Sequence, residues 1–443
     1  MYVISVMGTE TTMGSRVINA GCLATFRDWT GGRELVTLGS NAGSDPLPFQ
    51  SWRNFKEAFA PEIVERAVRE TPGIVRHIAD PFGGSGTSAL AAQFLGIRPT
   101  TIEVNPFLAD LIEAKLAFYD LKEATTALGT VVELVATASA LKNPVFTGAP
   151  KTFVEPGVNG RYIFSKPIAR RLLAYRYAIE KITDQNIRRL FRVILGSVTI
   201  PVSNVITSGK GRRYRGGWAQ RSVDETVVDQ LFMQGVLAAL YDIRRFETRP
   251  CRDYRIMRGD ARRLVSMVGP CDLAIFSPPY PNSFDYTDVY NIELWTLGYL
   301  DGPEANSRLR KSTLRSHVQI LRDMNANEYI SPTLTETVRE LRKERKHLWN
   351  RHIPEMVAAY IEDIGKVMAG LASNLRARGR VYMVVGDSRY AGINVSVAAI
   401  LAEVAPSFGY SLCNVEPFRS MRASPQQGGR LGLSETLVVL ERS

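Results

Sequence analysis

The chain has 443 residues, 45% of them hydrophobic and 22% charged, which is the make-up of a globular protein with a sizeable core rather than a disordered one. Lys and Arg outnumber Asp and Glu by 55 to 44, and the resulting charge of +11 favours a polyanionic partner. Four scattered cysteines (Cys22, Cys251, Cys271, Cys413) without a C-x-x-C pair argue against a disulfide scaffold or zinc site, and no run approaches ~18 apolar residues, so a cytoplasmic protein without metal or membrane span is expected.

Residues 1–47 show weak periodicity and read as an N-terminal extension. From 48 to 120, strand and helix candidates alternate. Gly73–Asp80 and Pro99–Val104 read as strands, and Ser88–Leu95 and Leu108–Phe118 as helices, the rhythm of a parallel sheet covered by helices. Residues 121–250 read as a mainly helical, basic insertion broken by a glycine-rich loop. Strand signals return at Tyr254–Met257 and Leu273–Phe276, in a segment placed at 251–300. A charged, helical insertion is expected over 301–375. Strands at Val381–Val385, Tyr410–Val415 and Thr436–Leu440 follow in 376–443, the last two forming a terminal hairpin.

The charge is concentrated. Residues 161–221 hold fourteen Lys and Arg against only Glu180 and Asp184, an excess as large as that of the whole chain. Within that stretch, T-S-G-K-G-R-R-Y-R-G-G-W (207–218) sets aromatics among cations. Lys210, Arg212, Arg213, Tyr214, Arg215 and Arg221 are therefore candidate contacts to a nucleic-acid backbone. R-L-R-K-S-T-L-R (308–315) is a lesser candidate. His77, His317, His347 and His352 lack ligand spacing and read as structural or solvated.

Two motifs carry chemistry. I-A-D-P-F-G-G-S-G-T (78–87) lies between a strand and a helix, where Gly83, Gly84 and Gly86 permit a sharp turn and close ligand approach. Glu103 ends the next strand, placed to accept hydrogen bonds from ribose hydroxyls. The spacing is neither G-x-x-x-x-G-K-[ST] nor G-x-G-x-x-G, so triphosphate and dinucleotide sites are disfavoured. In the second motif, D-L-A-I-F-S-P-P-Y (272–280), an apolar strand stops at two prolines that cannot extend a ladder. The result is a stiff turn rich in acceptors and capped by an aromatic ring.

D-P-F-G-G-S-G-T resembles motif I of the S-adenosylmethionine-dependent amino-methyltransferases of DNA, and S-P-P-Y looks like their catalytic motif IV in its cytosine-N4 form. G-D-A (259–261) resembles their motif III, and S-W-R-N-F-K-E-A-F-A-P-E-I-V (51–64) their motif X. The resemblance implies a Rossmann-like α/β class I methyltransferase fold, with a mostly parallel seven-stranded sheet, an antiparallel C-terminal hairpin and large helical insertions. It implies S-adenosyl-L-methionine as cofactor, held by Asp80, Phe82, Gly83, Gly84, Ser85, Gly86, Thr87, Glu103 and Asp260. Ser277, Pro278, Pro279 and Tyr280 would act on the exocyclic amine of a flipped base in double-stranded DNA. Partnership with a restriction nuclease or phage-defence proteins is implied by resemblance alone. About 190 residues separate Thr87 from Ser277, long for a direct run between these motifs. Cytosine N4 is the first expectation and adenine N6 the second. RNA amine methylation and a non-catalytic DNA-binding protein of the same fold are the alternatives. Cysteine-based C5 methylation is disfavoured, because Cys271 precedes the strand and S-P-P-Y holds the loop after it.

Overall fold

The computed structural model describes residues 18–35, 43–55, 57–138, 144–208, 211–326, 331–422 and 432–443. Its strands in chain order are β1 (His77–Asp80), β2 (Arg98–Glu103), β3 (Val205–Ser208), β4 (Gly211–Tyr214), β5 (Arg255–Arg258) and β6 (Cys271–Phe276), followed by β7 (Leu375–Gly386), β8 (Ser388–Tyr390), β9 (Ile393–Val395), β10 (Tyr410–Arg422) and β11 (Gly432–Arg442). Seven of them form one sheet in the order β10-β11-β7-β6-β1-β2-β5. β11 alone runs against its neighbours; the other six are parallel to one another. The expected seven-stranded sheet with a C-terminal antiparallel hairpin is thus present.

Period-two alternation sends neighbouring side chains of a strand to opposite faces. On β6, Leu273 and Ile275 join one core while Ala274 and Phe276 join the other. The first core is covered by α2 (Glu62–Glu70), α3 (Thr87–Phe94) and α4 (Pro106–Leu116), with α5 (Leu121–Thr137), α6 (Lys166–Ile179), α7 (Gln185–Val202) and α8 (Thr226–Arg245) packed outside them. The second is covered mainly by the helices Ile353–Ala372 and Val397–Val404. Burial on both faces explains why the central strands read as continuous apolar runs.

Three expectations change. The N-terminal extension contains a helix, α1 (Ala20–Thr30), capped by Asn19 and anchored where Trp29 stacks on Phe94 at 4.5 Å. The glycine-rich loop of the basic stretch includes an antiparallel ribbon, β3 with β4, in which Val205 pairs with Tyr214. The helix Ile353–Ala372, read as part of an insertion, is the buried crossover joining β6 to β7. Its fully buried Met356, Ile361 and Ile364 each contribute roughly 1.5–3 kcal/mol by leaving water. Among the described residues no helix is long and apolar enough to cross a membrane.

Candidate active site

In an open parallel sheet, ligands gather beyond the carboxyl ends of the strands. β1, β2, β5 and β6 end at Asp80, Glu103, Arg258 and Phe276, and the residues beyond these ends line a cleft of about 330 Å³. That volume suits a nucleoside-sized ligand.

The glycine loop is braced from within. Asp80 accepts a hydrogen bond from the Phe82 amide at 2.9 Å, and the Gly83 amide donates to the Ile102 carbonyl at 2.9 Å. The three glycines serve different needs. A Cβ on Gly83 would stand 2.3 Å from Thr101 Cγ2 and 2.6 Å from Ile112 Cδ1, so its absence lets the loop press on β2 and α4. Gly86 starts α3 at φ 81° with Ile112 behind it, and it is not among the lining residues. Gly83 and Gly84 both line the cleft, and Gly84, at φ 54°, has the Phe55 ring opposite. The close approaches at Gly83 and Gly86 are therefore to the protein's own side chains. Ser85 and Thr87 are buried and share a hydrogen bond at 3.1 Å.

Glu103 holds the loop as well as lining the cleft. One carboxylate oxygen accepts from the Gly84 amide and the other from the Asn105 amide, each at 2.8 Å. Burial pushes its pKa up to about 7, with the Asp80 charge adding to the effect. Burial likewise raises Asp80 to about 6. Asp260 lines the cleft but caps the short helix Ala261–Leu264 and pairs with Arg262 at 2.7 Å.

The catalytic-motif turn occupies the same cleft. Ser277 Oγ donates to the Tyr280 hydroxyl at 3.3 Å, which donates to Glu435 at 2.9 Å. Arg419 holds the other side of Glu435 at 2.6 Å. Pro278, Pro279, Phe82, Tyr286 and Tyr290 complete this region of the wall. Cys271 lies at the opposite end of β6, its thiol pushed up to about 12 by burial, as suits a structural cysteine.

Sequence reasoning missed several contributors. Lys115 is fully buried behind the loop, donating to Gln50 at 2.9 Å and to the Ser85 carbonyl at 2.8 Å. Phe55 stacks on Tyr290 at 5.6 Å; it lay inside the quoted motif X segment, the one signal available for it. His317, read as structural or solvated, lines the cleft.

The basic candidates separate. The β3–β4 ribbon packs on the helix Tyr286–Val289, whose Tyr286 and Thr287 line the cleft, so it stands beside the site. Arg213 is exposed there. Tyr214 packs against Trp218 at 4.7 Å, and Arg212 pairs with Asp288 at 3.1 Å. Arg215 donates to the Ile200 and Ser203 carbonyls at 2.9 and 3.0 Å, and Arg221 to Pro201 at 2.9 Å. Both close the carbonyl end of α7, where a cation is favoured by the helix dipole. Lys210 lies outside the described residues. The second basic run divides as well, with Arg308 and Lys311 exposed and the other two arginines paired. Arg310 pairs with Asp285 at 2.6 Å, and Arg315 is buried against Glu362 and Asp363.

No family model matches the chain. It is 23% identical over 93% of its length to the type II methyltransferase M.BsoBI of Geobacillus stearothermophilus, covering 88% of that protein. It is 25% identical over 86% of its length to M.AvaI of Anabaena variabilis, covering 82% of it. Over 69 residues it is 33% identical to M.MjaII of Methanocaldococcus jannaschii. The chain is related to the type II methyltransferases. The motif-based resemblance to S-adenosylmethionine-dependent methyltransferases thus holds along most of the sequence, with S-adenosyl-L-methionine as the implied methyl donor. A solved rRNA methyltransferase, aviRa of Streptomyces viridochromogenes, overlays at a TM-score of 0.26 and 13% identity, too slight a likeness to carry an argument.

Proposed function

We propose that this protein methylates the exocyclic amine of a flipped base in double-stranded DNA, most readily cytosine N4. The observation that carries the reading is one cleft lined by both the Gly84–Glu103 cofactor elements and the Ser277–Tyr280 turn. The type II relatives support DNA as the substrate. S-adenosyl-L-methionine supplies an electrophilic methyl group on a sulfonium. The cleft fits it through the Glu103 carboxylate for ribose hydroxyls, the Phe55 ring over Gly84, and an adequate volume.

An exocyclic amine is a poor nucleophile because its lone pair is delocalised into the ring. Ser277 Oγ and the Pro278 carbonyl accept its hydrogens and favour a tetrahedral nitrogen. Tyr280 stacks on the base, which must leave the duplex to reach the cleft. Positioning and fixed dipoles supply most of the acceleration. With the cofactor bound, the nitrogen–methyl bond would form as the carbon–sulfur bond breaks, the electron pair staying on sulfur and the amine releasing one proton to water. Arg213 on the ribbon meets phosphate near the cleft mouth, and residues 121–250 contact DNA more widely. A cytoplasmic restriction or phage-defence setting accords with the type II relatives.

The test is incubation with labelled S-adenosylmethionine and mixed DNA, followed by nucleoside mass spectrometry. N4-methylcytosine is expected. N6-methyladenine would transfer the reading to the second base, and a label appearing only in RNA, or in no nucleic acid, would overturn it.

A further inference from the structure

One wall of the cleft is the stretch 312–317, which reaches the site from far along the chain. A buried ionic cluster fixes it. The Arg315 amide donates to Asp363 at 2.8 Å, and its guanidinium joins Asp363 at 2.7 Å and Glu362. Arg262 meets the same Asp363 at 2.8 Å. The Ser283 amide donates to the Ser316 carbonyl at 3.0 Å, and the Gln319 side chain donates to the Ser283 carbonyl. The wall is thereby tied to the segment that follows the catalytic turn.

His317 ends this stretch. It is 1% exposed, and no hydrogen bond of good geometry reaches either ring nitrogen, although the Gln319 side chain interacts with the ring. The carboxylate of Asp285 lies 3.9 Å from Nε2, beyond hydrogen-bond reach, and already serves Thr287 and Arg310. Burial lowers the His317 pKa to about 4, so the ring is neutral at physiological pH. Leaving buried polar atoms unmatched is costly, and in native proteins such atoms call for an explanation. A ligand in the cleft that supplies the missing partner is one.

A neutral imidazole offers one N–H donor and one bare nitrogen. Cytosine and adenine both carry a ring-nitrogen acceptor beside the exocyclic amine. Thymine and guanine carry an N–H at the corresponding place. In the tautomer that turns its N–H toward that position, the ring accepts the amine-bearing bases and opposes the other two.

We propose that His317 donates a hydrogen bond to the ring nitrogen beside the target amine, N3 of cytosine, and so helps to select the base. The proposal rests on the reading above and adds a specificity residue to it. The test uses the duplex in which the methylated base has been mapped. Affinity is measured for that duplex and for one carrying 3-deazacytosine there (1-deazaadenine if adenine is the base), with the parent and with His317→Ala. Comparing ratios cancels the altered pairing of the analogue. The preference for the natural base should fall about 3- to 10-fold in the variant, the effect of one hydrogen bond, while S-adenosylmethionine affinity stays unchanged. His317→Leu, of closer volume, serves if the alanine variant does not fold. His317→Asn, which keeps a donor, should restore part of the preference. An unchanged ratio in a parent that methylates DNA would overturn the role of His317 alone. A parent that methylates no base would overturn the underlying reading, and the proposal with it.

Discussion

Tyr280 donates its hydroxyl hydrogen to Glu435, a residue 155 positions later, at 2.9 Å. The bond joins the turn after β6 to the reversed strand β11. It also leaves the Tyr280 ring with one orientation, since Ser277 and Arg419 hold the two ends of the same chain of contacts. Tyr280→Phe keeps the ring and should lower the methylation rate by about 10-fold or less, the effect of one lost hydrogen bond. Tyr280→Ala also removes the stacking surface, about 1–3 kcal/mol per base, and should cost roughly 5- to 150-fold. Single-turnover rates at saturating cofactor check both; equal losses would show that the ring does not hold the base.

Glu103 gives a pH dependence with a definite sign. Its folded pKa, about 7, lies above the ordinary 4.5, so between these values the folded protein holds a proton that the unfolded chain releases. Stability without cofactor should therefore be greatest below 4.5 from this group and decline as pH rises through 7. Cofactor affinity should move the opposite way, because an ionised carboxylate accepts ribose hydroxyl hydrogens more strongly. Denaturant melts and calorimetric titrations at pH 6 and 8 measure the two trends. Glu103→Gln should flatten both.

Lys115 supports the glycine loop without touching the cleft. Lys115→Met fills similar volume but leaves the Ser85 carbonyl and Gln50 oxygen unmatched, at a cost of about 1–3 kcal/mol. Reduced S-adenosylmethionine affinity should accompany the loss of stability. Wild-type affinity in a folded variant would show that the loop keeps its shape unaided.

The ribbon arginines should part company. Arg213→Ala should reduce the log–log salt slope of DNA binding by about 0.9, as expected for one phosphate contact, with little change in melting temperature. Arg215→Ala opens the carbonyl end of α7 and should cost about 1 kcal/mol of stability. Salt-dependent binding isotherms and thermal melts of the two variants distinguish these roles.

What the sequence disclosed was local chemistry. The 78–87 loop and Glu103 were legible because strand, glycines, helix and acid follow one another within a single βαβ unit. Ser277–Tyr280 was legible because two prolines after an apolar strand have few uses. Glu435, Lys115 and His317 were not legible: each reaches the site from a distant element, and nothing in its neighbours advertises the destination. The basic stretch misled in a different way. Counting charges cannot reveal that Arg215 and Arg221 close a helix or that Arg315 answers Glu362 and Asp363, because those partners exist only after folding.

The reversed strand has a bearing on how the molecule comes into being. β11 fills the gap between β7 and β10, so neither strand can complete its pairing until residues 432–442 have been made. Until then β7 presents an open edge, the kind that invites mispairing with other chains. The turn that ends in Tyr280 leaves the ribosome long before its partner Glu435. Vectorial synthesis thus withholds the finished cleft until late, and any truncation ahead of Gly432 removes a sheet strand and a brace of the cleft in one stroke.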